Sequence, residues 1–196
     1  PEPVHGDAHE NGTLELAAAS TDIEAASLLA DQLGGTVYCD ERDDWRHLPF
    51  RALVTATTDN IEPLLEVGDV GTYVIFRRLI KPGVPEVIGL FPLLMKPGRT
   101  HAEADAHWRD VHGPLALEHH KHMTHYSQLS VVATLSGIAF DGFALCGFAS
   151  LLDLRERFYS GPESPAVIAA DVAHFADLEN SPPRLIAKEY RFSSSD

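Results

Sequence analysis

The residues best suited to acid–base chemistry are concentrated in one short part of the chain. Seven of the eleven histidines lie between positions 101 and 125. One of them, His112, directly precedes Gly113-Pro114, a pair that restricts the backbone and so fixes the direction of the imidazole. Because histidine titrates close to neutrality, a fixed imidazole can accept or donate a proton at physiological pH. We predict that His112 is the acid–base residue; the alternative is that its imidazole caps the end of a helix.

A second group of polar side chains belongs to the next predicted strand. His125 and Tyr126 are adjacent, and adjacent strand residues point to opposite faces of a sheet. The face of Tyr126 would orient a small substrate if it lined the inside of a barrel, and would otherwise face solvent. We predict that Tyr126 or His125 donates a hydrogen bond to a carbonyl or enolate oxygen. Three more polar side chains share the face of Tyr126: Gln128, Ser130 and Thr134.

The other histidines match no metal or cofactor motif. His120 and His122 would share a face of an extended segment, yet neither a cysteine ligand nor a His-Glu-x-x-His run accompanies them. The chain also lacks the Gly-x-Gly-x-x-Gly and Walker sequences that bind nucleotides, and no serine or cysteine has the context of a nucleophile elbow. We therefore predict no metal and no cofactor.

Composition excludes several classes of partner. The 196-residue chain has 29 acidic and 15 basic residues, for a formal net charge of −14, whereas nucleic acids and anionic membranes require a basic surface. No apolar run is long enough to span a membrane. With only two cysteines and no leader-like segment, we expect a cytoplasmic protein that binds a small molecule. The ends, 1–12 with His5 and His9, and 193–196, are expected to be loose.

The order of predicted elements is the same in both halves of the chain: strand, helix, strand, strand, helix, strand. Thr21–Glu24 has the pattern of a capping box for a helix that ends at Gly34-Gly35. Thr100–Glu103 is a second capping box, and we expect its helix to end at the break after His112. On that helix Asp105 and Arg109 have the spacing of a solvent-exposed ion pair. The predicted strands are 14–19, 36–39, 50–57, 72–80, 87–95, 126–135, 143–151 and 184–192, and the other helices begin near 59 and at 164, the latter running to about 178.

Each half is therefore a candidate βαββαβ unit, one spanning 1–82 and the other 83–196. A four-stranded sheet with helices on one face needs cover for the other face, and two such sheets can cover each other. We predict an α+β fold of two tandem ferredoxin-like units, with antiparallel sheets that face each other in an α+β barrel. The alternative is that each half pairs with a copy from another subunit.

The second half contains a distinctive set of motifs. They are Lys96-Pro97-Gly98 and Trp108–Leu115, supported by Tyr126 with Gln128, Asp141-Gly142-Phe143, Ser164-Pro165, Asp171 and Phe175. With these residues the second half resembles the EthD family over roughly residues 84–192. The resemblance implies a dimeric α+β barrel, hence a homodimer, with a largely apolar cavity between sheet and helices. The first half has no counterpart of His-Gly-Pro, and we interpret it as a degenerate copy that leaves one site per chain.

Relatives of this fold include cofactor-free monooxygenases, cyclases, lyases and isomerases, so the resemblance alone does not define a reaction. We predict a cofactor-independent lyase or isomerase that transfers a proton next to a carbonyl of a small aromatic or polyketide-like molecule. The alternatives are a non-catalytic ligand-binding accessory barrel of an oxidative degradation pathway, and a cofactor-free monooxygenase. The residues predicted to contact the substrate are Trp108, Gln128, Phe91, Phe143 and Asp141.

Overall fold

The computed structural model describes residues 11–193, so positions 1–10 and 194–196 of the predicted loose ends, with His5 and His9, lie outside the described residues. Eight antiparallel strands form a closed barrel. The strands are β1 (Thr13–Ser20), β2 (Thr36–Cys39), β3 (Ala52–Ala56), β4 (Gly71–Lys81), β5 (Val87–Leu93), β6 (Met123–Gly137), β7 (Gly142–Phe148) and β8 (Leu185–Arg191). The helices are α1 (Ile23–Leu33), α2 (Glu62–Val67), α3 (His101–His107), α4 (Gly113–His119), α5 (Leu151–Glu156) and α6 (Ser164–Val172), with a π-helical turn (Trp108–His112) between α3 and α4.

The barrel closes within one chain. Its strands follow the order β1-β3-β2-β8-β5-β7-β6-β4, and β4 pairs with β1 to complete the ring. The strands of the first half are neighbours in the order β4-β1-β3-β2, and those of the second half in the corresponding order β8-β5-β7-β6. The two halves meet where β2 pairs with β8 and where β4 pairs with β6. A second subunit is therefore not needed to close the barrel.

Every strand contributes to the core inside the barrel. Strand residues alternate between two faces, and the inward residues of all eight strands contribute to one apolar cluster. Four aromatic rings pack edge to face in this core, with the Tyr73 and Phe143 centroids 5.4 Å apart. Phe50 and Phe140 complete the group. Phe143, which we predicted to contact the substrate, is fully buried here.

The outward faces of the strands are covered by helices. Helices α1 and α2 cover the first half, and the layer over the second half includes Trp108, Ala116 and Leu154 from successive helical segments. Tyr126 belongs to this second layer. The face of Tyr126 lies neither inside the barrel nor in solvent, the two positions that the sequence analysis considered. No helix within residues 11–193 has both the length and the apolar character required to cross a membrane.

Local sequence signals determine several of the helix ends. Gly34 ends α1 with φ 60°, a left-handed conformation that favours glycine. The capping box predicted at Thr100–Glu103 is present. The one predicted at Thr21 is wrong, because Asp22 accepts the hydrogen bond from the Ala25 amide and Thr21 binds Asp69 instead. Helix α6 begins at Ser164, as predicted, and Glu163 is its N-cap residue. Helix α5, capped by Ser150, was not predicted.

The position of Phe143 gives a stability prediction. We expect Phe143→Ala to lower the free energy of unfolding by about 3–5 kcal/mol, because it leaves a cavity inside a closed aromatic core. Urea denaturation measures the change. Leu28→Ala, at a side chain that is 65% exposed, serves as the control and should change the free energy by less than about 0.5 kcal/mol. Equal effects of the two substitutions would contradict the placement of Phe143.

Candidate active site

A π-helical turn sets the position of His112. We predicted that the helix from Thr100 ends at the break after His112. It instead continues through the π turn into α4. The Gly113 amide donates to the Trp108 carbonyl, five residues earlier. Pro114 is accommodated because it lies in the first turn of α4, where a proline costs no helical hydrogen bond. His112 is therefore inside a continuous helical segment, and the alternative of a C-terminal cap is also wrong.

The carboxylate of Asp171, on α6, binds two histidines at once. Its Oδ2 lies 2.7 Å from His112 Nδ1, and its Oδ1 lies 2.8 Å from His107 Nε2. A carboxylate can only accept hydrogen bonds, so both of these ring nitrogens carry hydrogens. The extra residue of the π turn brings two side chains that are five apart onto one side of the helix. Sequence reasoning noted Asp171 as part of the resemblance but assigned it no role.

Burial keeps the His112 imidazole neutral. Desolvation lowers the pKa of His112 below its usual value, and the hydrogen bond and charge of Asp171 oppose this only in part. Burial would raise the pKa of Asp171, but the hydrogen bonds from His107 and His112 outweigh it and the pKa is lowered. With Nδ1 donating to an ionised carboxylate, His112 Nε2 holds a lone pair. This is the arrangement of a general base oriented by a carboxylate.

The Tyr126 hydroxyl is a hydrogen-bond donor fixed by two neighbours. Its oxygen accepts from Trp108 Nε1 at 3.2 Å and from Gln128 Nε2 at 3.1 Å. Burial raises the pKa of Tyr126, so the phenol stays protonated. Because both contacts use lone pairs of the oxygen, its own hydrogen is left to donate to a ligand.

Gln128 is oriented from the first half of the chain. Its side-chain oxygen accepts from Arg78 Nε at 3.1 Å, and its amide group also donates to the Trp108 carbonyl at 2.9 Å. Arg78 in turn binds both oxygens of Asp105, at 2.7 and 2.8 Å, and lies over the Trp108 ring. The sequence predicted that Asp105 forms a solvent-exposed ion pair with Arg109. Asp105 instead holds a buried guanidinium, and Arg109 binds Asp110.

His112 and Tyr126 face a common cavity between the sheet and the helices. The cavity has a volume of about 280 Å³, close to the lower end of the range for small-ligand pockets. Its wall is mostly apolar and includes two residues that the sequence analysis predicted, Trp108 and Phe91. The other main contributors are Leu93, Ala116, Phe158, Val172 and Phe175. The resemblance implied a cavity in this layer.

Gln128, predicted to contact the substrate, lies behind Tyr126 and is not among the described residues that line the cavity. Three further predicted site residues lie elsewhere. His125 points into the barrel interior, where Nδ1 faces the Gly83 carbonyl at 3.2 Å and Nε2 faces the Ser127 hydroxyl at 2.8 Å. Phe143 is part of the barrel core. The Asp141 carboxylate accepts from the Met95 amide at 2.7 Å and so fixes the chain after β5. None of the three is among the residues that line the cavity, within the part of the chain that is described.

The other histidines between positions 119 and 122 lie in separate environments. His119 Nδ1 lies 2.8 Å from the Ser164 hydroxyl, and His122 is exposed. His120 lines the cavity with His112. Among residues 11–193, no three histidine, cysteine or acidic side chains come together as a metal site.

Comparisons with known proteins agree with this architecture. Residues 96–179 match the family model of the EthD domain, within the half where the sequence resemblance lies. The structure is similar to that of an anthrone oxidase-like protein, with 10% sequence identity, a TM-score of 0.53 and 93% of each chain covered. It is also similar to a "putative monooxygenase" from Lactobacillus acidophilus NCFM, with 8% identity, a TM-score of 0.50, and 91% of this chain and 93% of that chain covered. At these identities the two likenesses show a common fold. No curated protein matches the chain in sequence.

Buried histidines predict how stability depends on pH. The pKa values of His112, His120 and His125 are all lowered, chiefly by burial. Below a pH of about 6.5 the unfolded chain binds more protons at these positions than the folded one, so stability is lost as the pH falls. We expect the free energy of unfolding, from urea denaturation, to fall between pH 7.5 and 5.5. In the double variant His112→Gln/His120→Gln the free energy of unfolding should fall less over this pH range, and in the control His122→Gln it should fall as in the wild type. A wild-type free energy that does not change with pH would contradict the assignment of these histidines as buried neutral groups.

The Arg78–Asp105 pair predicts a second stability effect. We expect Arg78→Met to cost about 3 kcal/mol or more, because it leaves the Asp105 carboxylate without its partner in a mostly buried position. The double variant Arg78→Met/Asp105→Leu removes both charges and should recover at least half of the loss. Urea denaturation of the wild type and the three variants, including Asp105→Leu alone, gives the coupling energy. Additive effects would show that the pair contributes nothing.

Proposed function

We propose that the protein is an enzyme that removes a proton from a small, largely apolar, oxygenated molecule, with His112 as the base. One observation carries the proposal: a neutral imidazole, oriented by an ionised carboxylate, faces an apolar cavity that also contains a phenolic donor. A general base needs both a fixed direction and a pKa near or below the working pH. His112 has the first from Asp171 and the second from its burial.

The proton transfer follows from the positions of three groups. His112 Nε2 takes a proton from a carbon next to a carbonyl, and the imidazolium that forms is stabilised by Asp171. Negative charge develops on the substrate oxygen, which accepts a hydrogen bond from Tyr126. The donors from Trp108 and Gln128 strengthen that hydrogen bond by stabilising charge on the phenol oxygen. The cavity wall is mostly apolar, so each of these interactions is stronger than it would be in bulk water.

Two reaction classes share this first step and differ in what the carbanion does next. In a lyase or isomerase it expels a leaving group or takes a proton at another atom, as the sequence analysis preferred. In a cofactor-free monooxygenase it reacts with dioxygen: a methylene becomes a carbonyl, which keeps one oxygen atom, and water leaves with the other atom and both hydrogens. The fold likeness to the two solved structures favours the second class as the alternative. A non-catalytic binding barrel is the remaining candidate.

We also propose that the two halves are tandem ferredoxin-like units, 1–82 and 83–196, with one site per chain. The matching strand orders support this, since each half repeats the same neighbour pattern. The cavity residues all come from the second half. Arg78 is the contribution of the first half to the site, through Gln128.

Anthrone, an aromatic ketone with an acidic methylene, is the substrate we choose to test the common step. We expect the enzyme to exchange the methylene hydrogens with deuterium in anaerobic D2O, measured by NMR above the uncatalysed rate. His112→Gln should lower the turnover number for exchange at least about a hundredfold, the usual contribution of a positioned base. Tyr126→Phe and Asp171→Asn should each lower it by about tenfold or more.

His122→Gln is the matched control, because this histidine is exposed and should retain full activity. Dioxygen uptake after the admission of air then separates the two classes: uptake coupled to anthraquinone formation supports the monooxygenase. Ligand binding without exchange would support the non-catalytic barrel, and exchange that survives in His112→Gln would reject His112 as the base.

A further inference from the structure

A second imidazole, that of His120, faces the same cavity as His112. His120 directly follows α4 and is 4% exposed. Its Nδ1 lies 2.6 Å from the Phe158 carbonyl oxygen, and its ring packs against the Phe158 ring with centroids 4.4 Å apart. A backbone carbonyl therefore orients the His120 ring, whereas a carboxylate orients that of His112.

The hydrogen bond to Phe158 determines which nitrogen of His120 is free. A carbonyl only accepts, so Nδ1 carries the hydrogen and a neutral ring has its lone pair on Nε2. Burial lowers the pKa of His120, and the hydrogen bond to the Phe158 carbonyl opposes this only in part, so the ring favours its neutral form. Within residues 11–193, neither His120 Nε2 nor His112 Nε2 has a hydrogen-bond partner, and both rings line the cavity.

Besides these two acceptor nitrogens, the cavity wall carries the Tyr126 and Tyr159 phenols, the Ser181 hydroxyl and the Cys146 thiol, and the rest of the wall is apolar. Both nitrogens are accessible from the cavity. A ligand that displaces water from such an acceptor without donating to it incurs a cost, because the acceptor loses its hydrogen bond to water. A ligand that leaves His120 unpaired would retain this cost, and a ligand with a second hydroxyl would remove it. The remaining wall is rich in aromatic rings, which favours a planar aromatic ligand. The four rings are Phe91, Trp108, Phe158 and Phe175.

We infer that the site takes a planar aromatic molecule with at least two oxygen groups, one that accepts a hydrogen bond from Tyr126 and a second, a hydroxyl or enol, that donates a hydrogen bond to His120 Nε2. This inference names the substrate class of the proposed enzyme and rests on that function only for the role of His112. His120 binds and orients the substrate at the end away from the reacting carbon. It does not need to exchange a proton during turnover.

Binding of naphthalene derivatives tests the inference without turnover. Anaerobic calorimetry compares 1-naphthol, the dihydroxynaphthalenes that carry one hydroxyl at position 1, and the methyl ether of the second hydroxyl in each. We expect at least one dihydroxynaphthalene to bind wild-type protein about tenfold or more tighter than 1-naphthol, the gain typical of a buried neutral hydrogen bond. Methylation of the second hydroxyl should abolish the gain, because an ether cannot donate.

The same ligands on variants locate the acceptor. His120→Phe should remove the gain of the dihydroxynaphthalenes over 1-naphthol, whereas His120→Gln, which keeps an acceptor, should retain part of the gain. His122→Phe is the exposed control and should keep it in full. The inference is overturned if no dihydroxynaphthalene exceeds 1-naphthol, if the methyl ether binds as tightly, or if the gain persists in His120→Phe.

The methyl-ether comparison needs only the wild-type protein, so it decides the question even if His120→Phe does not fold. Failure of the proposed function is separate from failure of this inference. Loss of deuterium exchange would leave the binding gain intact if the barrel only binds its ligand. Exchange without a binding gain would keep His112 as the base and reject His120 as a binding residue.

Discussion

The site depends on one carboxylate that is shared by two histidines. In a regular α-helix, side chains five residues apart lie about 140° apart around the axis and could not both face one partner. The π turn adds a residue to the turn, and His107 and His112 consequently both reach Asp171. The same contact attaches α6 to the π turn. One interaction therefore sets the direction of the proposed base and holds a wall of the cavity against the sheet.

The first half of the chain supports this site through a strand pair. Arg78 on β4 lies opposite Gln128 on β6, at one of the two places where the halves meet. That register puts the guanidinium within reach of Gln128, Asp105 and the Trp108 ring at once. Closure of the barrel within one chain is what makes this pairing permanent. The first half has no His-Gly-Pro of its own. It nevertheless contributes to the orientation of Tyr126, because Arg78 binds Gln128 and Gln128 binds Tyr126.

Signals local in sequence predicted much of this structure, and contacts distant in sequence account for what was missed. The strand and helix order, the Thr100 capping box and the Gly34 terminus follow from neighbouring residues. Of the residues predicted for the site, four line the cavity, His112, Tyr126, Trp108 and Phe91, and Gln128 lies behind Tyr126. His125 and Phe143 were misplaced because both faces of this sheet are buried, one in the barrel and one under helices, so polarity does not distinguish them. The partners Asp171 and Arg78 could not be predicted, since each lies far from its target along the chain.

The polarity of the cavity decides what kind of ligand it suits. Among the described residues that line it there is no Asp, Glu, Lys or Arg. Burial lowers the pKa of both imidazoles and raises that of the Tyr126 phenol, so these three groups favour their neutral forms. A carboxylate or phosphate would lose much more hydration free energy against such a wall than a neutral phenol or enol. Charge then appears only after the proton moves, when Asp171 stabilises the imidazolium and Tyr126 the oxyanion. Such interactions are stronger in the transition state than with bound substrate, which is the condition for catalysis by differential binding.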